Sequence, residues 1–355
     1  MSNATTLAGP ARRARPGTIA LAALAALLLA LPALVTVPYF LHLTILALIW
    51  VIIAQGQNLI QGYTGYVSIA AGGFMGVGAY CTALLSVKLG WSPWACLAVA
   101  PLLTAALALV VGYPSLRVKG HYFAIVTLAY NMVIFIVLMN FTSLTGGEAG
   151  IPRIPRPPAL QTPWGAIDFD TRTGYYYLVL GVTALATVAA VLLVRSRVGQ
   201  AMTAIRQNET LAEAVGISAW RYKLFSFVAS AGFAGLGGAL YASYMKFINP
   251  APFSVESSMN AVLAVILGGS GTLAGPVVGA VAVIFLPEYL RIADTYRLIA
   301  YGLVLVLATI FMPRGIVELV GRLWRRRAGA QPPAARVQAV AQVQPAAQVQ
   351  PAAQE

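Results

Sequence analysis

Residues 195–223 read RSRVGQAMTAIRQNETLAEAVGISAWRYK, the one long polar stretch inside the chain that carries clustered charge of both signs. Apolar runs of membrane length flank it, 175–194 before and 224–245 after. A charged stretch bracketed in this way sets the fold class: an all-α integral membrane protein, a polytopic bundle of about ten transmembrane helices. Arg195, Arg197, Arg206, Arg221 and Lys223 place the stretch on the cytoplasmic side by the positive-inside rule. Gln200 to Val215 is built of good helix formers, and Gly216 follows where a C-terminal cap belongs. Met202, Ile205, Leu211 and Val215 can share one face of that helix, with Arg206, Glu209 and Glu213 pointing elsewhere. Two readings fit such a helix: a solvated connector with no mechanical task, or a docking surface that receives force from a soluble motor subunit.

Composition supports the membrane reading. The 355 residues are 59% hydrophobic and 9% charged, against about a quarter charged in soluble domains. The net charge of +13 does not point to nucleic acid, because the basic residues sit in short loops at span ends rather than on one soluble face. Cys81 and Cys96 lie in apolar surroundings and read as small core residues. His42 and His121 have no Cys, His or carboxylate at ligand spacing, so no metal is expected.

Ten crossings are predicted, near 18–37, 39–60, 64–87, 93–113, 122–141, 175–194, 223–246, 257–271, 275–291 and 297–313. Residues 1–17 form a basic cytoplasmic tail. A signal peptide competes with that reading, but the first apolar run is too long and a second follows at once. Sixteen of the 23 Lys and Arg fall on loops placed inside by this topology and seven outside, so both termini are expected in the cytoplasm. The permease domain is expected over 18–320. The basic and then low-complexity QVQPAA tail, 321–355, is expected to be disordered. The external loop 142–174, rich in proline, is either a stiff connector or part of a platform for a delivery protein.

Glycine breaks two of the apolar stretches. One is QGYTGYVSIAAGGFMGVGAY at 61–80 and the other is LGGSGTLAGPVVG at 267–279. Gly72/Gly76 and Gly271/Gly275/Gly279 have the spacing of close helix packing. Interrupted segments also mark transport pathways, because free backbone groups need a wet cavity or protein around them. Both readings stand, and the polar cluster Gln55, Gln57, Asn58, Gln61, Tyr63, Thr64 and Ser68 beside the first break favours a pathway. Thr127, Asn131, Gly268 and Gly269 join Gln55, Asn58, Tyr63, Thr64 and Ser68 as pathway candidates. Ser230, Ala234 and Gly238, flanked by Gly232, Gly235 and Gly237, form a second close-packing face.

No catalytic constellation and no GxxxxGK[ST] phosphate loop is present, so the chain is expected to be neither an ATPase nor another enzyme. An energised permease subunit is the leading reading. An ion-coupled secondary transporter is the alternative, with Glu288, read as an interfacial partner of Arg291, its nearest approach to an intramembrane carboxylate. A passive channel is a third.

SRVGQAMTAIRQNETLAEAVGI (196–217) and RYKLFSFVASAGFAGLGGALYA (221–242) resemble the cytoplasmic loop and following helix of the branched-chain amino acid ABC transporter permease family. GYTGYVSIAAGGFMGVGAY (62–80), LRVKGHYFAIVTLAYNMVIFIVLMN (116–140), LTGGEAGI (144–151), INPAPFSVESSMNAVLAVILGGSGTLAGPVVGA (248–280) and MPRGIVEL (312–319) extend the resemblance in order. The TGG-containing external loop is more similar to the LivM-type subunit than to its LivH-type sister. The resemblance implies a subunit of a bacterial inner-membrane importer. Its partners would be a second related permease, two cytoplasmic ATPase subunits that use the ATP, and a periplasmic or lipid-anchored solute-binding protein. The chain itself would bind no cofactor. It also implies that 195–223 couples to the ATPase through Arg206, Glu209, Glu213, Ala214 and Gly216. His121 stands where relatives often have an acidic residue, and Asn131 with Met132 replaces a frequent Gly-Glu pair, so selectivity is expected to differ. Relatives carry branched-chain and other amino acids, amides and urea.

Overall fold

The structure is a computed structural model that describes residues 26–33, 37–118, 120–162, 165–290, 302, 306 and 315–319. The predicted spans 18–37 and 297–313 and the tail 321–355 fall largely or wholly outside the described residues, as does Arg291 beside Glu288.

Ten labelled helices follow one another. They are α1 (Pro38–Asn58), α2 (Ala71–Ala83), α3 (Pro93–Ser115), α4 (His121–Asn140), α5 (Arg172–Arg195), α6 (Arg197–Gln207), α7 (Glu209–Ala214), α8 (Ala219–Met245), α9 (Val255–Gly268) and α10 (Gly275–Tyr289). α1 continues into a π turn, Leu59–Tyr63, and α2 into another, Leu84–Lys88. Proline at the first turns of α1, α3 and α10 suits a position whose N–H has no helical partner. Four short strands gather at the end of the bundle opposite 195–223: β1 (Ile151–Pro152), β2 (Leu160–Thr162), β3 (Gly165–Ile167) and β4 (Phe247–Ile248). β1 pairs antiparallel with β4, and β2 with β3. The proline-rich loop 142–174 is therefore pinned to the chain end of α8.

α1 and α8 form the centre and α3, α4 and α5 the rim. In their most apolar windows, 72% and 61% of the residues of α1 and α8 are buried, against 22–33% for the rim helices. What the rim exposes is apolar: Leu102, Val110 and Leu185 are 68–71% exposed. Water would penalise such a surface and a lipid tail does not, so the bundle is built for a bilayer. Small residues let the centre close up. A Cβ added at Gly78 of α2 would lie 2.5 Å from the Gly235 Cα of α8, and one at Gly235 would lie 2.7 Å from the Thr104 Cβ of α3. The expected small-residue face of α8 packs as predicted, apart from Gly232, which has no neighbour closer than 3.7 Å.

Among the described residues, five helices are long and apolar enough to cross a membrane: Pro38–Tyr63, Pro93–Ser115, His121–Asn140, Arg172–Arg195 and Ala219–Met245. These match five of the ten predicted spans to within a few residues. Three others are corrected. Residues 64–70 are irregular, so the span predicted over 64–87 becomes helical only at Ala71. The spans predicted at 257–271 and 275–291 are helices of 14 and 15 residues. At 1.5 Å per residue each is about 21–23 Å long, short of the roughly 30 Å hydrocarbon core. They lie antiparallel, and a Cβ on Gly279 of α10 would come within 3.1 Å of the Ala264 Cα of α9. Glycine brings the two backbones together where any side chain would hold them apart.

Candidate functional site: a seam between two broken segments and the polar linker

The predicted single helix over Gln200–Val215 is two helices. Asn208 is extended (φ −159°, ψ 107°), and its side-chain oxygen accepts the Leu211 N–H at 3.0 Å, capping α7. That interruption resets the helical phase. Met202 and Ile205 on α6 are buried, while Leu211 and Val215 are 63% and 71% exposed, so the four do not share a face. Gly216 (φ +87°) ends α7 in the left-handed conformation expected of its cap, its N–H bonded to Glu213 O at 3.0 Å.

The residues proposed for the linker divide by direction. Glu213, Ala214 and Gly216 are exposed, together with Leu211 and Val215. Arg206 and Glu209 reach back into the bundle. The Arg206 guanidinium donates to Gly62 O at the end of the π turn and reaches Ser270 Oγ at 3.4 Å, so one side chain touches both glycine breaks. Glu209 pairs with Lys223, which is 4% exposed. The Tyr66 hydroxyl closes the triangle, donating to Glu209 Oε2 at 2.8 Å and accepting from Lys223 Nζ at 2.6 Å. The ammonium also lies 4.2 Å from the centre of the Tyr66 ring. Tyr66 belongs to the irregular stretch 64–70, Glu209 to the linker and Lys223 to the first turns of α8. A buried cation is held by a carboxylate and a ring from two other parts of the chain.

The breaks themselves are lined by the polar residues expected there. Gln57 Nε2 donates to Gln61 Oε1 (3.0 Å) and to Ser68 O (2.9 Å), and Thr64 Oγ1 donates to Leu59 O (3.1 Å). An irregular stretch inside a bundle, and the first turn of the helix after it, have amides that no helix satisfies. Here the Ile69 N–H donates to Thr127 Oγ1 on α4 at 3.0 Å, and the Gly72 N–H to Ser258 Oγ on α9 at 2.8 Å. Ser258 Oγ donates in turn to Asn131 Oδ1 at 3.2 Å. In the second break the Asn58 side chain plays both parts, its Nδ2 donating to Thr272 O and its Oδ1 accepting from Gly271 N, each at 2.9 Å. Gly269 (φ +121°) and Gly271 (φ +78°) hold conformations that side chains resist. The backbone at Gly315 packs against Gly269 and Gly268.

The structure thus joins Asn58, Thr64, Ser68, Thr127, Asn131, Gly268 and Gly269 in one seam. Tyr63 packs beside it with Leu59 and Met202. Gln55 lies buried one turn above, its Nε2 without a hydrogen-bond partner, as are Gln57 Oε1 and Asn131 Nδ2. Sequence reasoning missed Tyr66, Ser258 and Ser270, and read Lys223 only as a charge that sets topology. Lys223 sits inside the membrane-length helix α8, a signal that went unused; the others are common small or aromatic residues with no distinguishing pattern. No group of three or more metal-binding side chains occurs among the described residues, and Cys81 and Cys96 are free thiols.

Residues 39–310 match the family described as branched-chain amino acid transport system, permease component. The chain is 32% identical over 303 residues to the high-affinity branched-chain amino acid transport system permease protein LivM of Escherichia coli K12, covering 80% of this chain and 71% of that protein. The Salmonella typhimurium LT2 protein of the same name gives 32% over 302 residues, with the same coverage. The LivH permease protein of Escherichia coli K12 is 26% identical over 292 residues, covering 76% of this chain and 91% of that protein. No solved structure matches the chain.

Proposed function

The chain belongs to the branched-chain amino acid transport permease family and is a membrane-spanning permease subunit of an ABC importer; from that premise we propose how it couples and what it carries. Its solute is a small neutral or zwitterionic molecule, a branched-chain amino acid or a related amino acid, amide or urea. The polar lining of the seam is uncharged apart from Arg206 and the clasp at its rim, which suits a solute without net charge. The subunit works in the bacterial inner membrane with both termini in the cytoplasm. It pairs with a second, related permease, and a periplasmic or lipid-anchored binding protein delivers the solute. Two cytoplasmic ATPase subunits bind and hydrolyse the ATP, while this chain performs no catalysis.

The edge formed by Leu211, Glu213, Ala214, Val215 and Gly216 receives the ATPase. Arg206 and the Tyr66–Glu209–Lys223 clasp pass the movement inward. The observation that carries this reading is Arg206 spanning Gly62 and Ser270, because displacing the linker then pulls on both breaks at once. The seam opens there, and Gln55, Asn58, Thr127 and Asn131 line the exposed path. Glu213→Arg tests the docking edge: the variant should insert normally yet lose the ATPase subunits on co-purification and lose uptake. A Glu213→Arg complex that keeps its ATPases and transports normally removes the docking assignment.

A further inference from the structure

At the end of the bundle that carries the strands, the starts of α1 and α5 and the end of α8 surround a cleft of about 580 Å3, a size common among small-molecule sites. Two arginines and a histidine enter it. Arg156 lies over two aromatic rings, 5.1 Å from the centre of Tyr175 and 5.6 Å from that of Tyr244. One of its terminal nitrogens donates to Tyr244 O at 3.0 Å and the other to Asp170 O. Its Nε is buried without a partner. Arg172, in the first turn of α5, has no ion-pair partner among the described residues. His42 stacks on Tyr244 at 5.5 Å and shares a 2.7 Å hydrogen bond with its hydroxyl.

No carboxylate is among the described lining residues. The nearby Asp170 carboxylate is engaged by Lys246 at 2.6 Å. Asp170 offsets Arg156 and Lys246 together, so the cleft keeps an excess of positive charge, which in a concave site attracts an anion. The guanidinium fork matches a carboxylate in two parallel hydrogen bonds. The remaining wall, Val37, Pro38, Tyr39 and Met245, is largely apolar and suits a short aliphatic chain rather than a bare inorganic ion.

We infer that this cleft binds a small aliphatic carboxylate, with Arg172 as the principal contact and Arg156 held in place by its two tyrosines. Its ligand is the carboxylate end of a free amino acid arriving at the extracytoplasmic face. The inference rests on the amino-acid permease reading only for that choice of ligand.

The test uses the complex purified from native membranes in nanodiscs, without binding protein. Equilibrium binding of radiolabelled L-leucine is measured, with isovalerate (carboxylate, no amine) and isoamylamine (amine, no carboxylate) as competitors. Isovalerate should compete and isoamylamine should not. Arg172→Gln should weaken leucine binding about tenfold, the scale of a lost charge-assisted hydrogen bond, and Arg172→Lys should recover part of it. Leucine binding unchanged in Arg172→Gln, or displaced equally by isoamylamine, overturns the site. So does an Arg172→Gln complex that binds free leucine normally but is no longer stimulated by the binding protein, which assigns the cleft to an acidic side chain of that protein. Isovalerate binding in a complex that transports no amino acid leaves the cleft standing and removes the solute reading instead. Leucine uptake with no binding at the cleft does the reverse.

Discussion

The two glycine breaks solve the same problem in different ways. The first, at 64–70, keeps an irregular backbone inside the bundle, and the amides of Ile69 and of Gly72 just beyond it take hydrogen-bond partners from helices far away in sequence, Thr127 of α4 and Ser258 of α9. The second, at 269–274, bends through Gly269 and Gly271 and is held from α1 by the amide of Asn58 alone. One break is anchored to several helices, while the other has a special backbone, a tie to the helices through Asn58 and a tie to the linker through Arg206. The contrast points to the second as the part that moves and the first as the part that transmits, through Tyr66 and its clasp.

Removing parts of each should separate the two. The largest loss belongs to the clasp. Glu209→Ala leaves Lys223, 4% exposed, as an unpaired buried cation, at a cost of about 3–5 kcal/mol. Lys223→Met should cost less, because Glu209 is about a quarter exposed and can turn to water. Thermal unfolding of the purified complex, followed by maleimide labelling of Cys81 and the buried Cys96, measures both. Equal losses would show that the charge is not stranded.

Gly269→Ala in the second break forces a side chain into a φ of +121°, a strain of about 2–3 kcal/mol. Gly65→Ala in the first break (φ +83°, with its nearest contact the flexible Arg206 side chain at 3.1 Å) should cost less. The same labelling assay ranks them, and the reverse order would undo the contrast between the breaks. Asn58→Ala strands the Gly271 N–H and the Thr272 carbonyl and should cost about 2 kcal/mol. Its larger mark should be functional: ATP hydrolysis without solute in the reconstituted complex, as the second break loses its tie to the helices. The smallest loss is Ser258→Ala, about 1 kcal/mol with coupled transport retained, since the first break keeps Thr127. Uncoupling in Ser258→Ala and not in Asn58→Ala would exchange the roles given to the two breaks.

Much of this was legible from residues alone. The five long helices follow from apolar length, and the glycines and amide side chains marked both breaks. The path of the backbone was not legible. Hydropathy gives the length of an apolar run but not its course, so 257–271 and 275–291 read as two crossings when they are a short hairpin. Asn208 went unread as a cap because the flanking residues are strong helix formers, and one capping hydrogen bond outweighs their local preference. The inward turn of Arg206 and Glu209 depends on Gly62, Tyr66 and Lys223. No periodicity within the linker encodes where those partners lie.

The most direct test of the linker's hold on both breaks is the number of solute molecules imported per ATP hydrolysed by the reconstituted complex carrying Arg206→Gln. Arg206 faces the breaks rather than the exposed docking edge. The variant should therefore keep its ATPase subunits and hydrolyse ATP at least as fast as the unaltered complex, while its import per ATP falls at least tenfold. Unaltered coupling in Arg206→Gln would contradict the account, and loss of the ATPase subunits would place Arg206 on the docking surface instead.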